Sequence, residues 1–309
     1  MRRVVSRFNI SCNLTGESPA IPYLPCRHRY ALAEKNTRPI FGCQINFIIS
    51  SLHQIIKKME FKNLHNQDKP LLIANVWDIP SAKIAEELNF QAIGTSSSAI
   101  ASLLGYQDGE EMNFSELKYM VKRIAENSNL PLSVDLESGY SRNPKEIANH
   151  IKELSDLGVV GINIEDSIVN ENRTLLDAKK FAQTITEIVE NLQKENIAVF
   201  INVRSDTFLL NVPNTIDETK RRIKLYENAG ANGIFVPCIE QISDIKEIVN
   251  CTQLPINVMC MPYLPDFNTL KNLRVKRISM GNFIFDNMYT QFKLKTEEIL
   301  NQKSFKPVF

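Results

Sequence analysis

The stretch LPLSVDLESGYSRNPKEIANHIKELSDLGVVGINIED, residues 130–166, decides how this chain folds. It opens on a short apolar run, LPLSVDLES (130–138), that closes at the stop-and-turn residues Gly139 and Asn143-Pro144. A helical pattern follows, with Ile147, Ile151 and Leu154 on one face. Asn143 is placed as its N-cap, Pro144 as its first residue and Gly158 as its stop. A second apolar run, VVGINIED (159–166), completes a strand–helix–strand unit. Apolar runs this continuous mark strands buried on both faces, as in parallel sheets.

The same alternation extends in both directions. LLIANVW (71–77) and QAIGTSSS (91–98) come before the unit. AVFINVRSD (198–206), GIFVPCI (233–239), PINVMC (255–260) and VKRISM (275–280) come after it, with amphipathic stretches between them. Eight strands in strict alternation with helices predict a (β/α)8 TIM barrel. No linker or composition break divides residues 60–309, so 59–309 is expected to form one catalytic domain.

Residues 1–58 read differently. They carry nine Lys and Arg against two acids, leaving 27 against 33 for the rest, and regular patterning begins only near Met59. The expectation is a basic extension that is disordered, non-native or a targeting segment. Its longest apolar run, Ile40–Leu52, is too short and too polar to span a bilayer. A net charge of +1 argues against nucleic acid or an anionic membrane as partner. The six cysteines form no CxxC pair, and no His stands at metal spacing from them. Reduced, buried thiols in a cytoplasmic protein are the reading.

Barrel chemistry sits where strands end and βα loops begin. The strand ends present Trp77 and Asp78, then Ser96, Ser97 and Ser98, then Asp135 and Glu137. Asn163, Glu165 and Asp166 follow, then Arg204 and Asp206. If the strand ran through Glu137, Asp135 and Glu137 would share a face, two residues apart, and repel each other. Converging carboxylates without His or Cys suit a hard cation, Mg²⁺ or Mn²⁺, which would relieve that repulsion. Arg204 would offer a forked donor to a substrate carboxylate or phosphonate, and the serine hydroxyls would hold another oxygen. The plainer alternatives are that Ser96–Ser98 are turn residues and that Arg204 with Asp206 is only an ion pair. Cys238 and Cys260 read as core thiols. With only His65 and His150 in the body and no Lys closing a strand, His-based triads, zinc sites and Schiff-base chemistry are disfavoured.

Six ordered motifs carry a resemblance: NVWDIPSAKI (75–84), GTSSSAIASLLGYQDGE (94–110), VDLESGY (134–140), GVVGINIEDS (158–167), INVRSDTF (201–208) and NAGANGIFVPCI (228–239). Together they resemble the isocitrate lyase/phosphoenolpyruvate mutase superfamily, and within it the phosphonomutase-like branch. That resemblance implies a Mg²⁺-dependent barrel, a dimer or tetramer, that makes or breaks C–C or P–C bonds next to an enolate. It implies Asp135 as the direct metal ligand, with Asp108, Glu137 and Glu165 holding the metal's waters. It implies Ser96 at the substrate carboxylate and Arg204 at its oxyanion end; the strand ends add Ser97, Ser98 and Trp77 as expected substrate contacts, with Arg204 and Glu165 in the catalytic set.

The loop after IED departs from the family pattern. The lyases carry a Cys-Gly-His there and the mutases Lys and Asn; this chain reads SIVNENRT (167–174), a short gating loop with Glu171 and Arg173. Pro237 stands where the mutases have His. The expected function is Mg²⁺-dependent C–C cleavage, by retro-aldol reaction or decarboxylation, of a small 2-oxo or 2-hydroxy carboxylate through a metal-bound enolate. The alternatives are P–C cleavage of a phosphonate, or a barrel that binds a metabolite without turnover. Glu171, Arg173 and Tyr140 are the candidate proton donors. The last apolar helix, from Phe283, is expected to pack on its own barrel or, as the resemblance implies, on a partner subunit.

Overall fold

The computed structural model describes residues 59–309. The readings on residues 1–58, including Cys12, Cys26 and Cys43, lie outside the described residues. The first apolar run breaks at Ile73 into β1 (Leu71–Leu72) and β2 (Ala74–Val76), followed by β3 (Ile93–Thr95), β4 (Leu132–Asp135) and β5 (Gly161–Glu165). A hairpin of β6 (Ser167–Val169) and β7 (Arg173–Leu175) comes next. Then come β8 (Phe200–Arg204), β9 (Gly233–Val236), β10 (Ile256–Met259) and β11 (Arg277–Ser279). The main strands are all parallel, in the order β1-β11-β10-β9-β8-β5-β4-β3-β2. Because β1 and β2 are consecutive pieces of one run, the two ends of that order meet and the sheet comes round on itself. This is the (β/α)8 barrel.

The helix of the central unit, Pro144–Asp156, forms for the reasons its sequence gives. The Asn143 side chain accepts a hydrogen bond from Lys145 N at 3.0 Å, Pro144 fills the first turn, and Ile147, Ile151 and Leu154 are buried. β4 is shorter than its run. It ends at Asp135 because Glu137, Gly139 and Tyr140 all take positive φ, which no strand tolerates. The expectation that Asp135 and Glu137 share a strand face therefore fails at Glu137.

The barrel interior is partly polar. Asn202 Nδ2 reaches Asn163 Oδ1 at 2.9 Å and Asn257 Oδ1 at 3.1 Å. Since β8 and β10 are not neighbours, the second bond runs through the inside of the barrel. The buried Arg277 of β11 likewise approaches Ser133 Oγ of β4 and Asn163 Oδ1 of β5, both at 3.4 Å. At the N-terminal end Phe61 closes the barrel. A Cβ on Gly161 would lie 2.7 Å from its ring, so only glycine fits there.

The last helix, Phe283–Gln302, corrects the expectation of packing on its own barrel. Phe285 is its single buried residue, set edge-on against Trp77 at 5.2 Å, while Phe292 and Leu300 are each 69% exposed. Among the described residues no helix is long and apolar enough to cross a membrane.

Candidate active site

The C-terminal ends of the strands surround a cavity of about 320 Å³. Ser96, Ser97, Ser98, Asp108, Asp135, Arg173 and Arg204 line it, with Leu209, Phe235, Pro237 and Met259 as its apolar walls. Asp135 is anchored from two sides: its backbone N donates to Thr95 Oγ1 at 2.8 Å, and its Oδ2 accepts from Ser97 Oγ at 2.7 Å. Its Oδ1 is buried with no protein partner. Burial pushes the Asp135 carboxyl up, against the pull of Arg204 and the Ser97 hydrogen bond.

The three serines divide their duties. Ser96 Oγ caps the helix Ser97–Leu104 by accepting from Ala99 N, Ser97 orients Asp135, and Ser98 sits in the first turn beside the cavity. The helix N-terminus thus faces the site, with the Ser97 N–H leaning on Asp135, a placement that favours anions.

Arg204 is both readings at once. Nε and Nη2 grip Asp206 at 2.6 and 3.2 Å, and Nη1 pairs with Glu165 Oε2 at 2.9 Å, outside hydrogen-bonding direction. Both N–H groups of Nη1 and one of Nη2 make no hydrogen bond, on a side chain that lines the cavity. The ion pair holds the guanidinium in place without using all its donors.

Glu137 and Glu165 are buried behind the cavity wall rather than lining it. Glu137 Oε1 accepts from Tyr140 Oη at 2.8 Å while Oε2 has no partner. Burial, with Asp108 and Asp135 nearby, pushes the Glu137 carboxyl up to about 7. Burial likewise raises Glu165, with Arg204 and Arg173 pulling against it. Trp77 does not line the cavity; its ring serves to seat Phe285. Of the proposed proton donors, Glu171 is exposed on the hairpin and Tyr140 is spent on Glu137. Only Arg173 lines the cavity, and a guanidinium does not give up its proton near neutral pH. None of the three places an uncommitted acidic group in the cavity.

Glu110 escaped the sequence reading. Its carboxylate accepts from Ser138 Oγ (2.9 Å), Tyr140 N (2.6 Å) and Arg142 Nη2 (2.7 Å), which pins the turn carrying Glu137. The run Asp108-Gly109-Glu110-Glu111 was visible as acidic, but no local spacing ties it to residues 137–142. Asp166, read as one more convergent acid, faces away from the cavity and is absorbed in the packing of β8 and the helix Thr215–Asn228.

The charges do not balance. Five carboxylates, Asp108, Asp135, Glu137, Glu165 and Asp206, meet three guanidinium groups, Arg173, Arg204 and, from inside the barrel, Arg277. Two buried carboxylate oxygens, on Asp135 and Glu137, stand unpaired. Among the described residues no three acidic, His or Cys side chains close in enough to enclose an ion directly. An all-oxygen set with an excess of negative charge fits a hard divalent cation that keeps much of its water and takes one or two carboxylates.

The raised Glu137 has a measurable consequence in chelator. Between its ordinary value near 4.5 and about 7 the folded protein holds a proton that the unfolded chain has released, so stability falls as pH rises through this window. The loss is on the order of 3 kcal/mol, complete by about pH 8. Thermal melts from pH 4.5 to 8 should show it, and Glu137→Gln should flatten the slope. An unaltered slope would mean that Glu137 is ionised throughout.

A barrel with acids gathered at its strand ends and an arginine held among them defines a class of lyases and mutases. The phosphoenolpyruvate phosphomutase family model matches residues 61–300, and the chain belongs to that family, within the isocitrate lyase/phosphoenolpyruvate mutase superfamily of enzymes. An uncharacterised Mycobacterium tuberculosis protein (strain H37Rv) is 34% identical over 228 residues, 72% of this chain and 82% of that one. Oxaloacetate decarboxylase 1 of Pseudomonas fluorescens (strain Pf0-1) is 30% identical over 237 residues, 72% of this chain and 78% of the decarboxylase. The crystal structure of a candidate phosphonomutase from Burkholderia cenocepacia J2315 superposes with a TM-score of 0.72 at 29% identity. It covers 78% of this chain and 99% of its own.

Proposed function

We propose that the chain is a divalent-cation-dependent lyase that cleaves a C–C bond, by decarboxylation or retro-aldol reaction, in a small 2-oxo or 2-hydroxy carboxylate. The observation that carries this is Asp135: a rigidly held carboxylate on the cavity floor with a buried, unpaired oxygen, flanked by Arg204 and a helix N-terminus. Asp135 would hold Mg²⁺ or Mn²⁺ directly, with Asp108, Glu137 and Glu165 behind its waters. When bound, the ion supplies positive charge where an enolate oxygen develops. The backbone N–H of Ser98 and the unspent N–H groups of Arg204 bind and orient the substrate's carboxylate oxygens. Leu209, Phe235, Pro237 and Met259 keep water from the reacting carbon.

The likeness to oxaloacetate decarboxylases supports oxaloacetate as the first substrate to try. Pyruvate release above the rate given by the cation alone would establish the lyase. Phosphate release from phosphonopyruvate instead would establish P–C cleavage. Stabilisation by 2-oxo acids without any product would leave a binding protein.

The same reading makes the protein a cytoplasmic homo-oligomer, a dimer or tetramer. Cys238, Cys251 and Cys260 are free, which supports the compartment, although none is the buried core thiol expected and Cys260 is exposed; the uncovered apolar side chains of Phe283–Gln302 support a second copy as their cover. Light scattering should give at least twice the 35.2 kDa chain mass, and Phe292→Glu should lower it. A monomer at micromolar concentration would sink the proposal.

A further inference from the structure

Arg173 does more than line the cavity. β7 folds back over the end of β5 and sets its guanidinium between groups from three other segments. Nη1 pairs with Glu165, lies 2.9 Å from Ser167 Oγ and 3.3 Å from Asp206 Oδ2, and Nη2 lies 2.9 Å from Asp108 Oδ2. The side chain is 15% exposed, whereas Asp108 at the outer edge is 40% exposed. Arg173 therefore ties two members of the proposed cation set, Asp108 at the mouth and Glu165 behind the cavity wall. It gives them a positive charge of the kind a divalent ion would give.

We propose that Arg173 is a resident counter-ion, which competes with the divalent cation for Asp108 and Glu165 and is released from them when the cation binds. This rests on the cation-dependent reading above. Arg204 already shares Glu165 and Asp206 with Arg173, so the two further positive charges of a divalent cation beside Glu165 would repel Arg173 strongly. The carboxylate lone pairs that Arg173 occupies are those needed to hold the ion's water shell. The planar guanidinium, with several fixed donors, spans Asp108 and Glu165 in a way that a single ammonium cannot. The hairpin thereby couples its own seating to the state of the cation site. Two things follow: cation binding is weaker than the carboxylate count suggests, and it uncovers Arg173.

The test measures Mn²⁺ binding by paramagnetic resonance on the full chain, without substrate, for the unaltered protein, Arg173→Gln and Arg173→Lys. A melt on each checks folding. Arg173→Gln is expected to bind Mn²⁺ about tenfold more tightly. Arg173→Lys, which keeps the charge, should stay close to the unaltered protein. In parallel, trypsin cleavage after Arg173 in the unaltered protein should be slow in chelator and faster with Mn²⁺, because release exposes the site. Equal affinity in the unaltered protein and Arg173→Gln, or cleavage indifferent to Mn²⁺, overturns the role of Arg173 and leaves the cation reading standing. No Mn²⁺ binding in any of the three overturns both. Binding by Arg173→Gln alone overturns release by the cation, because the unaltered protein then never takes the ion up, and overturns the cation-dependent reading with it.

Discussion

Asp135→Asn is expected to remove turnover by at least about three orders of magnitude while leaving a folded protein. Asp135 is the one member of the acidic set that lines the cavity and is fixed at both ends: its backbone N donates to Thr95 Oγ1, and its carboxylate accepts from Ser97 Oγ. Losing the group that holds the cation withdraws charge stabilisation worth several kcal/mol at the reacting oxygen, and about 4 kcal/mol is a thousandfold in rate. The unaltered protein should melt about 5–10 °C higher when the cation exceeds its dissociation constant a hundredfold; Asp135→Asn should not respond. In chelator the variant should be at least as stable as its parent. It replaces a charge that burial disfavours and that Asp108 repels. That combination, undiminished stability with lost activity and lost cation response, is what a residue kept for function predicts. Full turnover by Asp135→Asn would sink the assignment of the site.

What the sequence disclosed and what it hid follow one physical division. The unit 130–166 was legible because its signals are local: an apolar run, an Asn-Pro helix start, a glycine stop. Asp135, Ser97 and Arg204 could be placed at strand ends for the same reason. The face shared by Asp135 and Glu137 could not be trusted, because period two holds only while the strand lasts. Here left-handed backbone at Glu137 and Tyr140 ends it. That turn is held by Glu110, some 30 residues away, and nothing in the local spacing announces such a contact. Arg173 is the same case. It was visible as a departure in the loop, but its contacts reach Asp108, 65 residues back, and Asp206, 33 residues on. Trp77 read as a site residue because it stands at a strand end. Its partner Phe285 comes from the far end of the chain, and the pair is buried.

Asp166→Ala is expected to lower stability by about 3–5 kcal/mol, roughly 10 °C or more in melting temperature, although Asp166 adjoins Glu165. Adjacent residues leaving a strand point to opposite sides. Glu165 turns toward the two arginines of the site, and Asp166 turns toward the helix Thr215–Asn228. Asp166 is fully buried, and its Oδ2 accepts from Ser205 Oγ at 3.0 Å, Arg222 Nη1 at 3.0 Å and Tyr226 Oη at 2.7 Å. Its Oδ1 accepts from Asp206 N at 2.9 Å. Alanine would take from the buried Arg222 one of its two carboxylate partners, leaving Glu218, the Tyr226 hydroxyl and a backbone carbonyl, and would leave two hydroxyls without their acceptor. Asp166→Asn should cost less, since its carbonyl oxygen still accepts, but its NH₂ would face donors. Both variants should also lose activity, because the backbone they free is that of Asp206, which holds Arg204 at 2.6 Å. A loss under 1 kcal/mol in Asp166→Ala would mean that this carboxylate is not what joins β5, β8 and the helix. The rigidity of Arg204 would then need another source.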